Sequence, residues 1–369
     1  MRENEQFIIS VLKNVSENKE EKLPIPEGVD ANEVWEILRA HKVEVALNKY
    51  IAWDRPKRLF CKLRRESNEK AYKSMFSEME RIFRNLDEAN ILYAVNKGLY
   101  TAILSYEQVG DRWFNDIDIL IDASDEGKTV SILKSNGFSQ SKFDKEAKEL
   151  TAISRQSEVF FSAFTHQTAP FIKVVDSLYA EYMTVDVNHH IMWGEVLDEY
   201  KDFDMKDLIS HRRMMNFCGV RFWGLEPEYG FIHMALHLYN DLNSMIILTT
   251  PKGYNLRGFL DIYLFVKNNN LNWKLIRDYC FTHRIANYVY YVLRMTGVVF
   301  SDPFLQTYME PVDGYDKSME ETFGLTPEEL KTWHHGIWDR IFSKDKQELM
   351  GEYLTERDWK KVVINHNYL

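Results

Sequence analysis

Two aspartates set two residues apart, Asp116 and Asp118, lead into the apolar run Ile119-Leu120-Ile121 within the segment YAVNKGLYTAILSYEQVGDRWFNDIDILID at 93–122. Side chains two apart on a strand share a face, so both carboxylates project together. Like charges held side by side repel unless a cation lies between them. Mg²⁺ suits that position, since it binds through one or two carboxylates and the phosphates of a substrate. A D-x-D pair by itself is more often a surface turn, and its surroundings are what point to chemistry. Lys97-Gly98 falls between an expected strand at 91–95 and an expected helix at 99–106, a place where backbone N–H groups hold phosphate. Arg112, four residues before the pair, suits bidentate phosphate contact. A third acid, Asp186, is embedded in the β-branched run Thr184-Val185-Asp186-Val187.

A glycine at a strand–helix turn, a D-x-D pair opening the next strand and a third acid on a later strand resemble the pattern of the DNA polymerase β-type nucleotidyltransferase superfamily. More narrowly, KG…R…DIDILI, then NGF at 136–138, then VDVNHH at 185–190 resemble a bacterial family of uncharacterised nucleotidyltransferases. There the corresponding lines read LKG…R…DiDllv, lGf and iDlHw. The likeness runs over roughly residues 30 to 300 and is most specific in the central block. Two departures stand out. The superfamily often has Gly-Ser at the turn, where this chain has Gly98-Leu99, although the narrower family keeps Lys-Gly. The histidine that follows the third aspartate by two residues is Asn188 here, with His189 and His190 just beyond.

The resemblance implies an α+β fold with a polymerase β-like nucleotidyltransferase core, a mixed sheet with helices, flanked by N- and C-terminal helical regions. It implies Asp116, Asp118 and Asp186 as catalytic metal holders, Mg²⁺ or Mn²⁺ as the cofactor, and an NTP, with ATP the expected donor. Lys97, Gly98 and Arg112 would bind the nucleotide phosphates. The acceptor would be a hydroxyl on a small molecule, peptide or protein. His189, His190 and His237 are candidates for the substrate side.

The chain has 369 residues, room for two or three domains at one per ~100–200 residues. Apolar residues make up 45% and charged residues 28%, an ordinary globular balance. A net charge of −10 argues against wholesale nucleic-acid binding, so any basic patch must be local. Cys61, Cys218 and Cys280 are too widely spaced for a disulfide framework or a zinc site and suit a reducing cytoplasm. The charged N-terminus does not read as a signal peptide, and no apolar run approaches the ~20 residues of a membrane helix. A cytoplasmic protein without membrane partners is therefore expected. The abundant Phe, Tyr and Trp are scattered and read as core.

In order, 1–90 reads as an N-terminal helical region, 91–200 as the catalytic core and 201–369 as a C-terminal helical domain. Apolar periodicity gives helices at 5–14 and after the Asp30 cap, then a long helix at about 59–88. The basic stretch 55–70 reads as a solvated helix face, with a phosphate-facing patch as its functional alternative. In the core, Ser124 and Gly137 bracket a helix, the charged stretch 142–150 reads as a loop, and 157–162, 172–175 and 184–188 read as strands. From Tyr200 onward helices are expected again, including 326–342. His233 and His237 lie one turn apart, but the sequence HMALH lacks the glutamate of a zinc-protease helix. Asp261, within an apolar helix, requires a partner, for which Arg257 is the local candidate. Three competing readings stay open: an inactive nucleotide-binding or interaction protein of the same fold, an RNA-directed nucleotidyltransferase, and a metal-dependent hydrolase built on His189, His190, His233 and His237.

Overall fold

The computed structural model describes residues 2–19, 21–144, 146–191, 203–310 and 314–368. Tyr200 and Pro311 lie outside the described residues. Two compact units are present, Met1–Arg65 with Phe231–Asn367, and Glu66–Gly230. The regions 1–90 and 201–369, separate in the sequence reading, thus contribute most of their residues to one unit, and the core unit extends beyond 91–200 on both sides.

The first unit is helical. Helix α1 (Glu3–Ser16) buries Phe7, Ile8, Val11 and Leu12, the stripe expected from spacing. Helix α2 (Ala31–Ala40) starts at Asp30, whose side chain accepts from Asn32 N and Glu33 N. A short α3 (Glu44–Leu47) precedes α4 (Arg55–Glu88), a 34-residue helix that runs from this unit into the other.

In the core unit, strands and helices follow as β1 (Tyr93–Asn96), α5 (Gly98–Ser105), β2 (Asp116–Ile121), α6 (Glu126–Ser135), β3 (Ser139–Asp144), β4 (Glu149–Ala152) and α7 (Arg155–Phe164). They continue with β5 (Phe171–Ser177), β6 (Ala180–Asn188), α8 (Met205–Ser210), β7 (Arg212–Phe217) and β8 (Val220–Leu225). The eight strands form one mixed sheet in the order β4-β3-β5-β6-β2-β1-β8-β7. β2 runs parallel to β6 and β1 runs parallel to β8, while the remaining pairs are antiparallel. β2 and β6 therefore lie at the centre of the sheet. Ile117, Ile119, Leu120 and Ile121 are all buried.

Helix α4 covers one face of this sheet with aromatic contacts. Phe83 stacks on Tyr93 at 5.7 Å, and Phe76 meets Phe222 at 5.1 Å. Tyr93 and Val95 share the face of Ile119 and Ile121, so Asn96, Asp116 and Asp118 point to the other.

Three local readings are corrected. Residues 157–162 are helical, within α7, because Ser154 caps the helix by accepting from Ser157 N, and a short apolar run cannot by itself tell helix from strand. The stretch 142–150 is mostly a β3–β4 hairpin rather than a loop. Beyond 200 the chain is not uniformly helical: β7 and β8 form a hairpin whose turn residues, Cys218 and Gly219, both have positive φ, 51° and 91°. That geometry matches the twist of paired strands.

The chain then re-enters the helical unit through α9 (Pro227–Asn243). There follow α10 (Met245–Leu248), α11 (Leu256–Asn268), α12 (Trp273–Thr282), α13 (Ala286–Phe300), α14 (Ile337–Phe342), α15 (Lys346–Gly351) and α16 (Glu356–Tyr368). The continuous helix expected at 326–342 is replaced by a single 3₁₀ turn (Pro327–Glu329), a two-residue strand (Lys331–Thr332) paired with Thr322–Phe323, and α14. Trp333 and Phe323 are both buried beside that pairing, 4.3 Å apart, and so override the local helix signal.

Candidate active site

The site grows from the turn between β1 and α5. Lys97 has φ 47° and ψ −149°, a backbone region that glycine adopts readily and other residues at a strain of ~1–3 kcal/mol. Gly98 follows with φ +34°, and a Cβ there would stand 3.2 Å from the Asp116 carbonyl oxygen and 3.5 Å from the Phe114 ring. A side chain there would press on the start of β2, which would have to give by a few tenths of an ångström. Arg112 is buried and donates from Nη1 to the Gly98 carbonyl at 3.2 Å. That bond braces the turn.

Helix α4 holds the segment that leads into β2. Tyr72 donates its hydroxyl to the Arg112 carbonyl at 2.7 Å and accepts from Phe114 N at 3.1 Å, with its ring stacked on Phe114 at 3.7 Å. Asn68 donates to the Gly110 carbonyl at 2.9 Å. The start of α5 is fixed as firmly. Tyr100 is fully buried, and a Cβ on Gly230 would fall 1.8 Å from its hydroxyl oxygen, so α9 approaches α5 only through glycine.

The three carboxylates are brought onto adjacent positions of the sheet. Asp118 on β2 lies directly across from Asp186 on β6, Asp116 lies across from Thr184, and Asn96 on β1 flanks Asp118 on the other side. Residues 116, 118 and 186 therefore share a face, as the two-residue period requires. Asp118 is 5% exposed. Its Oδ1 accepts from Lys97 Nζ at 3.2 Å and from Asn188 Nδ2 at 3.3 Å. Burial raises the Asp118 pKa above the usual carboxylate range; Lys97 pulls against that rise and Asp116 adds to it.

Asn188 is the residue that sequence reasoning missed. It was noted only as the replacement of a family histidine, yet it is fully buried and reaches both Asp118 and, at 3.4 Å, the Asp186 carbonyl. Its Oδ1 is buried without a hydrogen-bond partner among the described residues. The available signal was its spacing, two residues after Asp186 on the same strand and hence on the same face.

The histidines behave differently. His189 and His190 both leave the end of β6 with their backbone N–H groups directed at the His166 carbonyl, at 2.9 and 3.2 Å. His189 Nε2 is 4.0 Å from Glu126 Oε2, and burial lowers its pKa. His190 is 8% exposed, with its ring edge-on to Phe203 at 6.3 Å. His233 and His237 belong to the helical unit, where His233 is buried and His237 Nε2 is 3.7 Å from Asp241 Oδ2.

In kind, three carboxylates on one face of the sheet are hard oxygen donors of the sort a divalent cation takes. Among the described residues, no three His, Cys, Asp or Glu side chains are gathered closely enough to hold a metal ion. In this structure the cation facing Asp118 is the Lys97 ammonium.

Among solved structures, the chain is similar to a crystal structure of an antigenic nucleotidyltransferase-like protein from Paracoccidioides brasiliensis. The identity is 16% and the TM-score 0.36, over 64% of this chain and 92% of the other. No curated protein matches the sequence. The model of a family described as uncharacterised nucleotidyltransferase matches residues 27–301, which takes in the Lys97-Gly98 turn, all three aspartates and the sheet that aligns them. The chain belongs to this family of uncharacterised nucleotidyltransferases.

Proposed function

We propose that this chain transfers a nucleoside monophosphate from an NTP, with ATP the expected donor, to a hydroxyl group of an acceptor, releasing pyrophosphate, and that it requires Mg²⁺. The observation that carries this is the pairing of Asp118 with Asp186 on neighbouring parallel strands, with Asp116 two residues earlier on the same face. Stability alone gives no reason to align three acids, since each raises the energy of its neighbours. Bound between them, Mg²⁺ would neutralise the phosphoryl oxygens and acidify the acceptor hydroxyl.

Asp116 and Asp118 would hold the cation against the nucleotide. Asp186, on the adjacent strand, would orient the acceptor hydroxyl and take its proton. The α5 N-terminus opens at Gly98 with its first N–H groups outside the helix ladder, a partial positive charge suited to phosphate. Arg112 keeps the turn in shape by holding the Gly98 carbonyl. Lys97, on a flexible four-carbon stem, would supply a point charge to the phosphates.

The test is a thermal-shift series with ATP, GTP, CTP and UTP, with and without Mg²⁺, on wild type and Asp118→Asn, followed by transfer from the α-³²P-labelled nucleotide that binds. A nucleotide at 100 times its Kd adds about 2.7 kcal/mol of stability. A Mg²⁺-dependent rise with one nucleotide, lost in Asp118→Asn while that variant still unfolds cooperatively, is the expected outcome. Labelled transfer that survives Asp118→Asn would show that the chemistry lies elsewhere.

A further inference from the structure

Three exposed apolar side chains crowd the first turns of α4. Leu59 is 50% exposed, Phe60 40% and Leu63 54%. Cys61, between them in sequence, is fully buried, and its Sγ donates to the Glu44 carbonyl at 3.5 Å. At 3.6 residues per turn, Leu59 and Leu63 stand on the opposite side of the helix from Cys61 and form an outward ridge.

Cations surround the ridge. The segment Arg55–Arg65, RPKRLFCKLRR, holds six Lys and Arg and no acid, in a chain of net charge −10. Arg55, Arg58, Lys62 and Arg64 are exposed. Arg55 lies one turn before Leu59 and Lys62 one turn after it, on the same side of the helix. Among the described residues, Arg55 and Lys62 pair with no acid. The acids nearby are already engaged or set back: Asp54 is paired with Lys57 at 3.2 Å, Glu36 with Arg39 at 3.2 Å, and Glu44 is half-buried. Glu66, the first acid of the helix, marks the end of the basic run.

We infer that this face of α4 docks on an anionic membrane surface, with Leu59, Phe60 and Leu63 set into the boundary between headgroups and acyl chains and the cations at the level of the lipid phosphates. The inference stands apart from the proposed transfer reaction and from the acids of the sheet.

Charge and shape together favour a lipid surface. A solvated helix face gains nothing from three apolar side chains held in water within five residues. A nucleic acid would take the cations but offers phosphate and sugar, not an apolar layer, to the leucines. A protein partner would need a groove to receive a ridge that stands on one convex helix. A bilayer interface is soft, accepts apolar side chains to a depth of ~5–10 Å and carries negative charge above them. The long Arg and Lys stems let the leucines sink while the charged ends stay among the phosphates. Lying on such a surface needs no membrane-spanning segment.

The experiment is flotation of the full chain with vesicles of phosphatidylcholine containing about one-third phosphatidylserine, and with vesicles of phosphatidylcholine alone, at low and high salt. The proteins compared are wild type, Leu59→Gln with Leu63→Gln, and Arg55→Glu with Lys62→Glu. All four positions are exposed, so both double variants should unfold at the wild-type urea concentration. Wild type should float with the anionic vesicles at low salt and stay behind with the neutral ones. Each double variant should lower the partition coefficient about tenfold or more. Should either unfold early, Leu63→Gln and Lys62→Glu alone carry the same comparison, with losses of about threefold each.

Wild type that floats with neither vesicle would overturn the inference, and so would binding to anionic vesicles that both variants keep. Binding lost on charge reversal but untouched by the leucine changes would show a bare polyanion site and overturn the membrane assignment. Titration of the same proteins with a fluorescein-labelled single-stranded RNA would then identify nucleic acid as the occupant, by tight binding that salt abolishes.

Discussion

Around Asp118 the core unit keeps an acid at 5% exposure, across the sheet from a second acid and two residues from a third, with a lysine and an amide on its Oδ1. Around Arg340 the helical unit buries a guanidinium to nearly the same degree, 6% exposed, but surrounds it with neutral groups. Its Nη1 donates to the Tyr254 hydroxyl at 2.9 Å, its Nε donates to the His335 carbonyl at 2.9 Å, and its plane lies 4.5 Å over the Trp333 ring. Lys346 is satisfied in the same way, donating to the Arg340 and Ile341 carbonyls at the end of α14. His41 accepts at Nδ1 from Leu256 N at 3.2 Å, capping the start of α11, and bonds the Ile341 backbone with its other nitrogen. Carbonyls, hydroxyls and aromatic faces hold charge for the sake of structure. At Asp118 a similar degree of burial comes instead with acids on neighbouring positions of the sheet, a lysine at positive φ and a buried amide oxygen without a hydrogen-bond partner among the described residues.

The contrast can be broken most severely with acid. Burial, reinforced by Lys346, lowers the His41 pKa to about 3 from 6.5. The unfolded chain therefore takes up a proton near 6.5 that the folded chain refuses until about 3. Stability from this neutral histidine is complete above pH 6.5 and falls as pH drops toward 3. On the order of 3 kcal/mol should be lost between pH 7 and pH 4. Urea unfolding at the two pH values should show that loss in wild type and a much smaller one in His41→Gln, and equal losses would remove His41 as the cause.

Next in size is Arg340→Ala, which leaves the Tyr254 hydroxyl and the His335 carbonyl without their donor and strips the face of Trp333. It should cost ~2–3 kcal/mol in urea while Mn²⁺ affinity stays at the wild-type value. A change in Mn²⁺ affinity would mean the neutral-partnered cluster is not purely structural.

Gly98→Ala should have the smallest effect on folding, ~1–2 kcal/mol, from the positive φ and the 3.2 Å approach to the Asp116 carbonyl. Because that approach sets the position of Asp116, it should weaken Mn²⁺ binding all the same. A variant as stable and as tight-binding as wild type would show that the turn tolerates a side chain.

Much of the centre of the molecule was legible beforehand. The alternation of Asp116 and Asp118 with isoleucines, and the β-branched flanks of Asp186, mark strands whose period places the acids on one face. The Asp30 cap was equally plain, because a short polar side chain ahead of an apolar stripe has few other uses. The β7–β8 hairpin was missed because its turn, Cys218-Gly219, puts a non-glycine residue at positive φ. The 326–342 segment was misjudged because a strong local start, Thr326-Pro327-Glu328-Glu329, was outweighed by burial of Phe323 and Trp333. Asn188 went unread as a site residue because its role depends on a neighbour 70 positions away.

The sequence alone determined which side chains could do chemistry here and which of them share a strand face, since both follow from residue type and a two-residue period. It could not determine that β2 and β6 are parallel neighbours, which sets Asp118 across from Asp186, because register between distant strands is decided by packing of the whole sheet. Nor could it show that Lys97 turns to Asp118 and Arg112 to the Gly98 carbonyl. Both cations read from sequence as phosphate ligands, and the contacts each makes within the protein follow from tertiary packing around the turn.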